Sequence, residues 1–118
     1  MSTPPAGTFM ARVRAGCIQF PPPLKVWCDG EGWDLFRVVF RGEDLFRLDP
    51  VLAAEEVDAH IDVGEFCSSL QPDGRLWIPE TMRSLVSLGE QSVMMRLEDG
   101  GLNVYLRKVF ETLGFRPV

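Results

Sequence analysis

The chain has 118 residues, a one-domain length, with 46% hydrophobic and 25% charged residues, a balance that excludes wholesale disorder. Its net charge of −5 and pI of about 4.8 do not supply the generally basic surface that marks most nucleic-acid binders. No apolar run approaches the roughly 20 residues of a membrane span, and the opening MSTPPAGT lacks the basic start and apolar middle of a secretory signal, so a cytoplasmic protein without a membrane partner is expected.

In chain order, residues 1–8 are expected to be a flexible tail and 9–118 a single domain. Phe9–Arg14 alternates apolar and polar residues and predicts a strand, followed by a turn at Gly16 and a second strand over Cys17–Phe20. Pro21, Pro22 and Pro23 then favour an extended or barely helical path, and Cys28–Gly32 reads as a flexible loop. Trp33–Phe40 and Leu45–Leu48 predict a hairpin around Arg41-Gly42-Glu43-Asp44. Asp49–His60 reads as a short amphipathic helix and linker, with Asp49 as cap and Pro50 in the first turn. Phe66–Leu70 is the next strand, Gln71-Pro72-Asp73-Gly74 a turn, and Arg75–Ile78 another strand. Pro79–Val86 predicts a short helix carrying Met82, Leu85 and Val86 on one side, with Gly89 as terminator. Ser92–Leu97 and Leu102–Leu106 flank Glu98-Asp99-Gly100-Gly101, a strong hairpin pattern. Arg107–Leu113, closed by Gly114, matches the linker helix, and Leu52, Val57, Val109, Phe110 and Leu113 are expected to cover the open ends of the core.

The order of elements occurs twice. A shift of 58 lays Gly16 on Gly74, Ile18 on Leu76, Phe20 on Ile78, Pro21 on Pro79 and Lys25 on Arg83. Two units, 9–60 and 61–118, would each be marginal alone and are expected to share one core. In the hairpin a shift of 57 is preferred to 58, because it buries Phe36, Val38 and Phe40 together and turns Arg37 and Arg41 to water.

Cys17, Cys28 and Cys67 have no CxxC spacing, and His60 is the only histidine. That argues for buried free thiols and against a disulfide framework or a zinc site. Carboxylates such as Glu80 and Glu90 lack a basic partner pattern, Ser84 lacks a nucleophile elbow, and the glycines sit in turns, not in a phosphate-cradling motif. Neither an enzyme nor a cofactor is expected.

The second unit, with DGRLWIPETMRSLVSLGE followed by an Asp-Gly hairpin, resembles the AbrB/MraZ (SpoVT-AbrB) swapped-hairpin family, and the duplication is similar to its tandem-repeat, MraZ-like branch of bacterial transcription regulators. The likeness is good over 66–113 and weak over 9–48. It implies a mainly β fold with short helices, a swapped-hairpin barrel made by two tandem half-units, and double-stranded DNA as partner. In that family the basic residues of the Gly-Arg turn and the following helix face DNA. By position these are Arg75 and Arg83, with Lys25 matching Arg83, while the first unit has Cys17 where the turn arginine belongs.

The residues make a case of their own. A guanidinium beside a glycine turn can fork onto phosphate or onto a guanine edge. Arg12 and Arg14, ahead of the first turn, extend the positive strip along one strand face, and screening over about 8 to 10 Å lets such local charge outweigh a negative total. The competing expectation is a barrel that no longer touches DNA and serves as a protein-interaction or assembly module, a homo-oligomer or a partner's docking site. Trp27, Trp33 and Phe46 would be its anchors if exposed.

Overall fold

In the computed structural model, residues 3–51, 65–86 and 88–106 are described. They form β1 (Phe9–Arg14), β2 (Cys17–Gln19), α1 (Pro22–Glu31), β3 (Leu35–Gly42), β4 (Leu45–Pro50), β5 (Glu65–Ser69), β6 (Arg75–Trp77), α2 (Glu80–Leu85), β7 (Gln91–Glu98) and β8 (Gly101–Tyr105). The eight strands make one antiparallel sheet in the order β5-β3-β4-β8-β7-β1-β2-β6. Its two ends meet through a bridge between Leu70 and Leu76, so the sheet is a nearly closed barrel. No helix among the described residues is long and apolar enough to cross a membrane.

Alternation explains the closure. Phe9, Ala11 and Val13 point inward from β1 while Met10, Arg12 and Arg14 point out. Ile18, Phe36, Val38, Phe46, Leu48, Leu76, Val93, Met95, Leu102 and Val104 join them in a single core. Phe36 and Val38 are fully buried and Phe40 packs against the same core, which is the inward face given by the shift of 57; Arg41 is exposed as expected, whereas Arg37 is half-buried.

The pairing interleaves the two halves of the chain. Hairpin β3–β4 is bordered by β5, hairpin β7–β8 by β1, and the hairpins join each other through β4 and β8. β2 and β6 pair with each other, and their flanks are closed by two matching hydrogen bonds: Phe20 N–H to the Gly74 carbonyl and Ile78 N–H to the Gly16 carbonyl, both 2.8 Å. Donors and acceptors alike stand 58 residues apart (78 − 20 and 74 − 16).

Four local expectations are corrected. The triple proline does not keep the chain extended: Pro21 is the N-cap of a ten-residue helix, α1, with Pro22 and Pro23 in its first turn. The first N–H groups of a helix have no intrahelical acceptor, so proline loses nothing there. Cys28–Glu31 is accordingly helical, and Gly32 (φ 73°) ends α1 with Trp33 N–H bonded to the Cys28 carbonyl at 2.8 Å. Asp49 and Pro50 close β4 and do not begin a helix, since Val51 N–H continues the ladder to the Leu35 carbonyl at 2.8 Å. α2 is shorter than expected, capped at Val86 ahead of Gly89, and Leu85 is exposed while Met82 and Val86 are buried. The expected end-covering residues Leu52, Val57, Val109, Phe110 and Leu113, and His60, lie outside the described residues.

Candidate nucleic-acid interface

The outward face of β1, β2 and β6 is set by register. Arg12 stands beside Gln19, and Gln19 beside Arg75, making one row across three strands; Arg14, Cys17 and Trp77 make the next. Arg12, Arg14, Gln19, Arg75 and Trp77 are exposed and Cys17 is half-buried. Arg12, Arg14, Ala15, Cys17, Gln19 and Arg75 line a single surface depression of about 320 Å³. Strand alternation thus collects three of the five candidate cations on one surface.

The Gly74 turn supplies the carboxylate nearest this strip. Asp73 accepts from the backbone N–H of Arg75 at 3.1 Å and from its Nε at 2.7 Å, while Gln19 Nε2 donates to the Asp73 carbonyl at 2.8 Å. The backbone N–H of Arg75 chiefly, then its guanidinium, holds the Asp73 carboxyl below its ordinary value. Asp73 therefore stays ionised and orients Arg75 outward. Both side chains of the pair are open to solvent, which screens their attraction, so a phosphate can replace the carboxylate at little cost. Neither Arg12 nor Arg14 makes an ion pair or side-chain hydrogen bond among the described residues.

The two helix cations are held differently. Arg83 is half-buried, its Nε donating to the Ile78 carbonyl at 2.8 Å and its guanidinium lying against Gly16. Lys25 bonds both Asp29 carboxylate oxygens at 2.6 Å, and its chain lies near Gly74. Each helix cation thus abuts the glycine turn of the other half. Gly16 (φ 78°) and Gly74 (φ 89°) are both left-handed, which favours glycine. Ile78, Pro79 and Pro21 are structural: Ile78 is fully buried, and each proline is a helix N-cap.

None of the three aromatic anchors of the interaction-module expectation is fully exposed. Phe46 is fully buried, and Trp27 and Trp33 are half-buried with their rings edge-on, 6.3 Å apart. Among the described residues the aromatic that is exposed is Trp77, at 51%. Period-two spacing from Arg75 could have placed it on the outer face, but within an apolar LWI run it reads as core. Among the described residues no group of three His, Cys, Asp or Glu is placed to hold a metal. A scan against protein-family models finds no match for this chain, and neither does a search of curated proteins.

Proposed function

We propose that the protein is a DNA-binding transcriptional regulator of the AbrB/MraZ type, built from tandem half-units 9–60 and 61–118 and acting in the cytoplasm. It lays the outer face of β1, β2 and β6 against the sugar–phosphate backbone of duplex DNA. The observation that carries this reading is the gathering of Arg12, Arg14 and Arg75 around one depression, where Asp73 is the carboxylate that pairs with any of them among the described residues. Arg12 and Arg14, with no ion pair among the described residues, can take phosphate oxygens, and Arg75 exchanges partners. Three cations neutralise few phosphates, so the functional form is a homo-oligomer that sets several strips along the duplex. The interleaved hairpins and the paired glycine turns support the family reading.

The test is fluorescence anisotropy of a labelled duplex at about 50 mM salt. Wild-type protein binds, and the triple variant Arg12→Glu, Arg14→Glu, Arg75→Glu does not. Equal binding by the two, or none by either, rejects the proposal.

A further inference from the structure

We infer that the same strip also holds single-stranded DNA, with Trp77 as the platform on which a base stacks. The inference rests on the reading that the strip binds nucleic acid, and adds a second form of it. Trp77 is 51% exposed and takes no part in the ring contacts Phe20–Phe36, Trp27–Trp33 and Trp33–Phe36. Nothing in the packing of the described core accounts for a tryptophan there, because its strand neighbour Leu76 is the residue that points inward.

Its surroundings specify an occupant that is both aromatic and anionic. Arg75 lies two residues away on the same face of β6, about 6.6 Å along the strand, and Arg14 two strands away in the same row, about 9.6 Å across the sheet. The residue between Arg14 and Trp77 is Cys17, a small side chain that also lines the depression shared by Arg14 and Arg75. A base lying on Trp77 would therefore keep its own phosphates within reach of Arg75 and Arg14. A duplex keeps its ring faces stacked on one another, so it offers the indole none without paying to unstack a base step. Single strands offer a ring face at every nucleotide, and sheet surfaces that pair aromatics with cations exploit that.

The experiment compares a labelled oligo(dT) of about 15 nucleotides, within the usual span of such sites, with a duplex of equal length. The proteins are wild type, Trp77→Ala, Trp77→Leu, Trp77→Phe and Arg75→Glu, each checked by thermal melting. Trp77→Ala and Trp77→Leu are expected to weaken oligo(dT) binding about tenfold or more, and to weaken it more than they weaken duplex binding, with Trp77→Phe within about threefold of wild type for oligo(dT). The Leu and Phe variants keep an apolar side chain, so the comparison survives if the alanine variant folds poorly. Unchanged oligo(dT) affinity on losing the ring, or no oligo(dT) binding by wild type, overturns the stacking inference. If the tryptophan variants are silent while Arg75→Glu still weakens duplex binding, the charged-strip reading stands without it; if both are silent, both fail. A Trp77→Ala protein with altered mass by light scattering and unaltered oligo(dT) affinity would make Trp77 a contact between copies, also overturning it.

Discussion

A Cβ added to Gly16 would stand 3.2 Å from the guanidinium carbon of Arg83. The two residues are 67 positions apart (83 − 16), and their contact locks α2 onto the turn between β1 and β2. Gly16→Ala should cost about 1–2 kcal/mol, because φ is 78° and the preceding Ala15 already has φ 53°. Arg83→Ala should cost about 1–2 kcal/mol through the missing bond to the Ile78 carbonyl. Urea denaturation of both variants and the double variant checks the cause: backbone strain persists when Arg83 is truncated, so the Gly16→Ala penalty must remain in that background.

Salt dependence separates the strip from the helix cations. Each phosphate that a cation no longer neutralises takes about one unit off the slope of log K against log salt. Arg12→Ala, Arg14→Ala and Arg75→Ala should each flatten the slope for duplex binding by about that amount. Lys25→Ala should leave it unchanged, its ammonium being paired with Asp29. A Lys25→Ala slope as flat as that of Arg75→Ala would move the DNA-binding surface onto α1.

What the sequence made legible follows from the range of the interactions involved. Strand alternation is local, so Phe9–Arg14 and the outward placement of Arg12 and Arg14 could be read directly, and Gly100 with Asp99 marked the hairpin through two positive φ values (75° and 52°). α1 is obscured because three consecutive prolines read as an extended path, although Leu24 and Cys28, four apart, carry a helical spacing. Lys25 and Arg83 matched a motif position, but whether a cation is free depends on partners. Asp29 lies one turn away and could have been paired with Lys25; the Gly16 surface under Arg83 belongs to the other half and has no local trace.

A second close approach joins the hairpins. Arg47 on β4 donates Nε to Asp49 Oδ1 at 2.5 Å, one terminal nitrogen to Asn103 Oδ1 at 3.1 Å and the other to the Asp99 carbonyl at 2.7 Å. Asn103 and Tyr105 in turn donate to Glu98 at 3.0 and 2.7 Å. Gly101 makes room for this clasp, since a Cβ there would fall 2.7 Å from the guanidinium and 2.9 Å from the Leu48 carbonyl. Because that carbonyl is backbone and cannot swing aside, Gly101→Ala should destabilise by about 1–3 kcal/mol. Arg47→Ala should relieve only the side-chain part of the clash. Thermal melts of the pair and the double variant measure the difference.

Cys28 is fully buried on α1, and burial chiefly, reinforced by Asp29 and opposed by Lys25, pushes its thiol up to about 12 from 9.0. The thiolate is the reactive form, so native protein at about pH 8 should leave Cys28 unmodified by a thiol reagent while the half-buried Cys17 and Cys67 react. Peptide mapping after labelling identifies the sites, and adding denaturant should expose Cys28. The sign of the linked stability effect follows from the raised value. Below pH 9 both folded and unfolded chains keep the proton; above it the unfolded chain loses the proton first, so stability falls as pH rises toward 12. Cys28→Ala removes that titration at the cost of a small cavity, and its urea midpoint should decline less than that of wild type between pH 9 and 11.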